Sequence, residues 1–175
     1  EFIKVLKDNP GKYTFASSGI GSINHMLGES FQAEAGVKMV HVPYKGSGPA
    51  MQDVMGGQVH SLFDQFPSSK PYIDGGKLKA IGVISPHRIP GYDVMTMEEA
   101  GMKGFTDEAW YGLLAPAKVP PEVVARLTEA MKKAMAAPEF RAQIEKVGAR
   151  PVGNSPAEFT AQVRREVERM KRLVK

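Results

Sequence analysis

Tyr13-Thr-Phe-Ala-Ser-Ser-Gly-Ile-Gly-Ser-Ile-Asn-His25 is the stretch on which the reading of this chain turns. Residues 13–16 form a short apolar and aromatic run suited to a buried strand, and Ser17, Ser18, Gly19 and Gly21 break it. From Ser22 onward Ile23, Met26, Leu27 and Phe31 recur at helical spacing, which makes Ser22 the natural N-cap. Strand, glycine-bracketed turn and helix bring hydroxyls, bare backbone amides and the positive end of a helix dipole to one point. Such a point holds a carboxylate or phosphate without a lysine or arginine. Glycine, having no Cβ, lets a ligand approach the backbone closely. The same sequence of elements also serves as plain fold punctuation, so the motif alone leaves ligand binding and simple chain reversal open.

The pattern then repeats. An apolar run over residues 38–42 leads into the loop Pro43-Tyr-Lys-Gly-Ser-Gly-Pro49 and a short helix over 50–55 that stops at Gly56 and Gly57. Residues 59–63 read as a strand ending at Asp64, residues 67–73 as a helical turn stopped by Gly75 and Gly76, and 78–84 as a strand whose near-continuous apolarity suits a sheet covered on both faces. Alternating strands and helices with short connections mean parallel βαβ units, hence an α/β layered sheet. Ligands lie off the carboxyl ends of such strands, which here carry Ser17 and Ser18, Pro43 and Tyr44, Asp64, and Ser85. Beyond residue 104 the texture changes. Phe105, Trp110, Tyr111, Leu113 and Leu114 suggest a strand or crossing segment. Pro120 and Pro121 open a helix to about residue 136 with Val123, Val124, Leu127, Ala130, Met131 and Ala134 on one face. Pro138 begins another, and Ser155-Pro-Ala-Glu158 is a capping box that starts a last helix.

The composition is that of a folded globular chain: 175 residues, 42% hydrophobic, 24% charged, with no cysteine to form a disulfide, a thiolate nucleophile or a cysteine zinc site. No apolar run approaches the roughly 18 residues of a membrane-spanning helix. The chain does not start with methionine, and residues 1–6 look like the end of a helix already under way, as expected of a processed product or a fragment. The net charge of +4 is uneven: residues 1–117 carry −2 and residues 118–175 carry +6. In the last helix Arg164, Arg165, Arg169 and Arg172 alternate with Glu166 and Glu168, which favours a solvated face over a nucleic-acid surface.

Several single residues stand near the strand ends. His25, one turn past the cap, is placed either to donate to a ligand oxygen or to tie a neighbouring loop. Tyr44 either walls a pocket or covers the next helix. Asp64 would repel a carboxylate unless it meets an ammonium group, orders water or caps Ser68 and Ser69. Lys45 is read as solvated. His41, His60 and His87 lack metal-like spacing, so neither metal nor cofactor is expected. No Gly-x-Ser-x-Gly elbow or Walker loop is present, and no nucleophile, base and orienter are in convincing arrangement.

Taken in order, residues 13–25, His41-Val-Pro-Tyr-Lys-Gly-Ser-Gly-Pro49, Gly56-Gly-Gln-Val, Phe63-Asp64, Gly76-Lys-Leu-Lys-Ala-Ile-Gly-Val, Met97-Glu-Glu-Ala-Gly101, Trp110-Tyr-Gly-Leu-Leu-Ala-Pro-Ala117 and Pro151-Val-Gly resemble the solute-binding proteins of tripartite tricarboxylate transporters, the Bug family. The resemblance covers essentially the whole chain. It implies a periplasmic-binding-protein fold of two α/β lobes. Residues 8–105 would form the second lobe with the anion cradle, and 106–175 a crossing segment and the C-terminal helices of a first lobe whose N-terminal strand and loop are absent. It further implies an extracytoplasmic, periplasmic receptor, not an enzyme, that captures a small carboxylate or dicarboxylate through Ser17, Ser18, Gly19, Gly21, Ser22, His25, Tyr44 and Asp64 and works with membrane transporter subunits. Without a partner for residues 123–131, the C-terminal helices should either associate with another copy or pack loosely. Two other classes stay in view: a doubly wound enzyme binding a phosphorylated substrate at residues 17–22, and the effector-sensing domain of a transcription regulator. The first lacks the third glycine of a dinucleotide turn. The second would normally follow a helix-turn-helix, which is not visible.

Overall fold

The computed structural model describes the backbone of residues 1–106 and 109–173. It divides into two compact units, Glu1–Ala109 and Trp110–Lys175.

The first unit is built on a three-stranded parallel sheet. Its elements run α1 (Phe2–Asp8), β1 (Thr14–Ser17), α2 (Ile23–Ala35), β2 (Val40–Pro43), α3 (Ser47–Met55), β3 (Ser61–Leu62) and α4 (Phe66–Asp74). The spatial order is β2-β1-β3, with Phe15 opposite His41 on one side and Ser61 on the other. Successive residues of β1 point to opposite faces of the sheet. Phe15 accordingly packs with Leu6, Phe31, Val37, Met102 and Phe105, and Ala16 packs with Ala50 and Val59. Helix α2 therefore covers one face and α3 the other. Because the chain leaves β1 toward one face and β2 toward the opposite one, their carboxyl ends form a topological switch point, the place at which open α/β sheets bind ligands. Gly28 is what lets α2 approach: a Cβ there would stand 2.2 Å from the Phe15 ring.

Three sequence expectations change here. Helix α3 begins at Ser47, not residue 50, because Pro49 falls in the first turn, where a missing N–H costs nothing. Residues 78–84 form no strand: Val83 makes one isolated parallel bridge to Thr96, and Ile81 is 53% exposed, so neither covered faces nor a continuous ladder exists. Ser85 consequently does not end a sheet strand. Residues 59–63 pair only over Ser61–Leu62.

In the second unit, α5 (Pro121–Ala136), α6 (Pro138–Lys146) and α7 (Pro156–Leu173) start as the prolines and capping box foretold. Glu158 accepts from both the backbone N–H and hydroxyl of Ser155, at 2.8 and 2.7 Å. The segment expected as a strand or crossing piece near residues 104–116 contains no strand among the described residues; residues 107 and 108 lie outside them. Gly112 lies under Phe159, whose ring also meets Trp110 edge-on at 5.1 Å.

Candidate functional site

The turn after β1 is held by its own residues. Ser17 is buried, and its Oγ accepts from the Gly19 N–H at 3.2 Å. Ser22 caps α2 by accepting from the His25 N–H at 3.3 Å and donates its hydroxyl to the Gly19 carbonyl at 2.6 Å. Gly21 donates its N–H to His25 Nδ1 at 3.1 Å, and the Ser22 N–H returns to Gly19 O at 3.1 Å. The amides of Gly19, Gly21 and Ser22 are thus not bare, as the sequence suggested; each has an internal acceptor. Both glycines are required by backbone shape, with φ of 141° at Gly19 and 76° at Gly21. A Cβ on Gly19 would also press on the Tyr44 carbonyl at 3.3 Å.

Three rings form a column beside this turn. His41, opposite Phe15 in the ladder, stacks on it at 4.9 Å, and His25 stacks on the other side of His41 at 4.1 Å with 18° between planes. His41 Nε2 lies 2.7 Å from Ser17 Oγ. Since the Gly21 amide can only donate, His25 Nδ1 carries the lone pair and Nε2 the proton, directed toward Glu29 at 3.6 Å. Burial holds the His41 pKa below the usual imidazole value, and the neighbouring His25 lowers it further.

The loops after β2 and β3 join the same edge. Tyr44 N–H donates to Ser17 O at 3.0 Å and Gly46 N–H to Ser18 O at 3.1 Å, which ties the β2–α3 loop across the end of β1. The Tyr44 hydroxyl donates to Asp53 at 2.7 Å, a bond that keeps the proton on the phenol. Its ring packs beside Ala16 and Ala50. Tyr44 thereby covers α3, while its backbone faces the turn. Asp64 accepts from Asn24 Nδ2 and Ser47 Oγ on Oδ1, both at 2.9 Å, and from Ser69 Oγ on Oδ2 at 2.8 Å. One carboxylate fastens the first turns of α2, α3 and α4 together. The dipoles of those helix starts favour its charge. Capping by Asp64 extends to Ser69 and not to Ser68.

The structure therefore gathers Ser17, Ser18, Gly19, Gly21, Ser22, His25 and Tyr44 at the carboxyl edge of the sheet and makes Asp64 the fastener of the helix starts there. Sequence reasoning missed three participants. Asn24, buried, and Ser47 act on partners 40 and 17 positions away. His41 was weighed only as a metal ligand, although its place opposite Phe15 in a parallel ladder was the signal available. A surface depression of about 610 Å³ lies along α7 and is lined by residues of that one helix, Pro156, Thr160, Arg164 and Arg165 among them.

A family model described as "Tripartite tricarboxylate transporter family receptor" matches residues 1–175. The "UPF0065 protein in tcbD-tcbE intergenic region" of Pseudomonas sp. strain P51 is 35% identical over 99% of this chain and 52% of its own length. Among solved structures, one described as "Structure of a periplasmic transporter" superposes with a TM-score of 0.91 at 41% identity, covering 99% of this chain and 58% of that one. The R. palustris protein Rpa4515 with adipate gives a TM-score of 0.91 at 29% identity over 98% of this chain and 58% of that one. MatC from Rhodopseudomonas palustris with bound malate gives 0.87 at 29% identity over 99% and 60%. The chain spans about half the length of the curated relatives it matches. The periplasmic-binding-protein type of α/β fold is that of these neighbours.

Proposed function

The chain belongs to the tripartite tricarboxylate transporter receptor family, a family of solute receptors and not of enzymes, and on that premise we propose that it captures a small carboxylate or dicarboxylate in the periplasm for the membrane subunits of such a transporter. The observation that carries this reading is the turn over residues 18–22. At the carboxyl end of β1 it brings two serine hydroxyls, two glycines with left-handed backbones and the first turn of a 13-residue helix together without a lysine or arginine. Two neighbours of the same fold hold adipate and malate, both dicarboxylates. Under this reading Ser17, Ser18, Gly19, Gly21 and Ser22 receive the anion, in the turn shape that their internal hydrogen bonds hold. His25 and Tyr44 border it, and Asp64 sets the spacing of the helix starts around it. Residues 8–105 act as the lobe bearing the cradle, and residues 106–175 supply the crossing segment and helices of the other lobe.

Thermal unfolding with malate, adipate, sugar phosphates and nucleotides tests the proposal. A ligand at 100 times its Kd raises stability by about 2.7 kcal/mol. Stabilisation by dicarboxylates is the expected result, and stabilisation by phosphorylated ligands alone overturns it in favour of a phosphate site. The exposed stripe Val123, Leu127 and Met131 on α5 is read as a contact between copies. Light scattering should find an assembly that Leu127→Glu dissolves; a monomer before the substitution defeats that part.

A further inference from the structure

Each glycine of the turn is fastened to one ring of the histidine stack. Gly19 reaches His41 through Ser17 Oγ, which accepts the Gly19 N–H at 3.2 Å and lies 2.7 Å from His41 Nε2. Gly21 reaches His25 directly, N–H to Nδ1 at 3.1 Å. We propose that His25 and His41 are positioning residues for the turn: stacked and neutral they hold Gly19 and Gly21 in place, and a second proton on His25 releases the Gly21 amide and opens the turn. The inference rests on the carboxylate reading only in making this turn the binding element.

The chemistry is that of one lone pair. An imidazolium has N–H on both nitrogens, so His25 cannot accept from Gly21 once Nδ1 is protonated. The groups facing His25 set how readily that happens. Glu29, on the same helix, lies 3.6 Å from Nε2 and favours the cation. His41, on β2, stacks at 4.1 Å and opposes a second charge. Burial first and His25 second lower the proton affinity of His41, with Glu29 acting in the opposite sense. Acid then acts on the turn through His25, because a second ring proton removes the lone pair that accepts the Gly21 amide.

Nitrogen NMR of the ligand-free chain between pH 5 and 8 decides it. The Gly21 amide and the His25 ring nitrogens should shift with one common midpoint, and Gly21 exchange, corrected for the intrinsic pH dependence, should rise tenfold or more on the acid side. His25→Asn offers an Oδ1 in place of Nδ1 and should keep Gly21 protected with no pH dependence. His25→Phe keeps a ring in the stack but no acceptor, and should leave Gly21 fast-exchanging at every pH. A Gly21 amide indifferent to the His25 titration, or protected in His25→Phe, overturns the inference. Malate titrations on the same proteins form a second arm. The wild-type affinity should fall between pH 7.5 and 5.5 by at least threefold more than that of His25→Asn, and an equal fall in both also overturns the inference. Absence of malate binding at both pH values counts against the proposed function and leaves the amide readout to settle the turn.

Discussion

The unit Glu1–Ala109 and the unit Trp110–Lys175 hold their shape by different means. The first contains the buried apolar core, from Leu6 and Phe15 through Phe31 to Phe105. In the second, neither α5 nor α6 buries a residue; the helices begin at prolines and a capping box and carry surface pairs such as Lys171 with Glu168 at 2.8 Å. Packing defines one unit and local chain chemistry the other. The contrast explains where the chain can afford a functional turn. Only a region whose strands and helices are fixed by contacts on both faces of a sheet can hold two left-handed glycines at a set distance from two histidines.

The largest test of that contrast pairs Phe15→Ala with Leu127→Ala. Phe15 is fully buried against Gly28 and His41, and its loss should cost about 3–5 kcal/mol in chemical denaturation. Leu127, 42% exposed, should cost under about 1 kcal/mol. Equal losses would mean that the second unit carries a core of its own weight.

Asp64→Ala comes next. It removes the shared acceptor of Asn24, Ser47 and Ser69 and leaves Nδ2 of the buried Asn24 with a long contact to Ser47 at 3.5 Å, while Oδ1 still accepts from Gln65. Hydrogen bonds to a charged group are worth about 1.5–3 kcal/mol, so the first unit should lose an amount of that order. Asp64→Asn separates fastening from ligand choice: an altered preference between amino acids and plain dicarboxylates would show contact with the ligand, and an unchanged ranking with lowered stability would mark Asp64 as structural.

A smaller effect is expected from Gly19→Val, directed at binding. A side chain at φ 141° and 3.3 Å from the Tyr44 carbonyl distorts the turn, which should weaken dicarboxylate binding by about tenfold, equivalent to roughly 1.4 kcal/mol. Calorimetry with unchanged affinity would remove the turn from the site.

The smallest effect belongs to the second unit. Ser155→Ala should cost about 1 kcal/mol of helix stability. The Ser155 bonds hold the Glu158 carboxyl below its ordinary value of about 4.5. Its contribution is therefore present above that value and is lost as pH falls through the lower folded pKa. Circular dichroism should record a loss of helix in that acid window which is smaller in Ser155→Ala, where only the backbone N–H bond to Glu158 is left.

What was legible in the sequence follows the same division. The Ser22 cap, the Ser155 to Glu158 box and the prolines at helix starts act over three or four positions, and all three were readable. The carboxyl ends of β1, β2 and β3 were also legible, because apolar runs stop abruptly there. Residues 78–84 misled because β-branched composition states a preference for extension, while a strand needs a partner, and only Val83 has one. The fastening by Asp64 and the stack of His25 on His41 were hidden for another reason. They join residues far apart in the chain, and no local pattern encodes which polar group will find which. The gathered turn was thus visible as a motif, while the contacts that hold it were not.

The order of the sheet has a consequence for how the chain reaches this state. β1 is central and is made first, yet its partners lie 26 positions later in β2 and 46 in β3. The ladder has no hairpin to nucleate it, so conformational freedom must be lost over long loops before any pairing is gained. The helices of the second unit need no such closure. Refolding should accordingly be biphasic, with helix signal recovering early and the ring contacts of Phe15 and His41 arriving last, so that the carboxyl edge of the sheet is the final part of the molecule to exist.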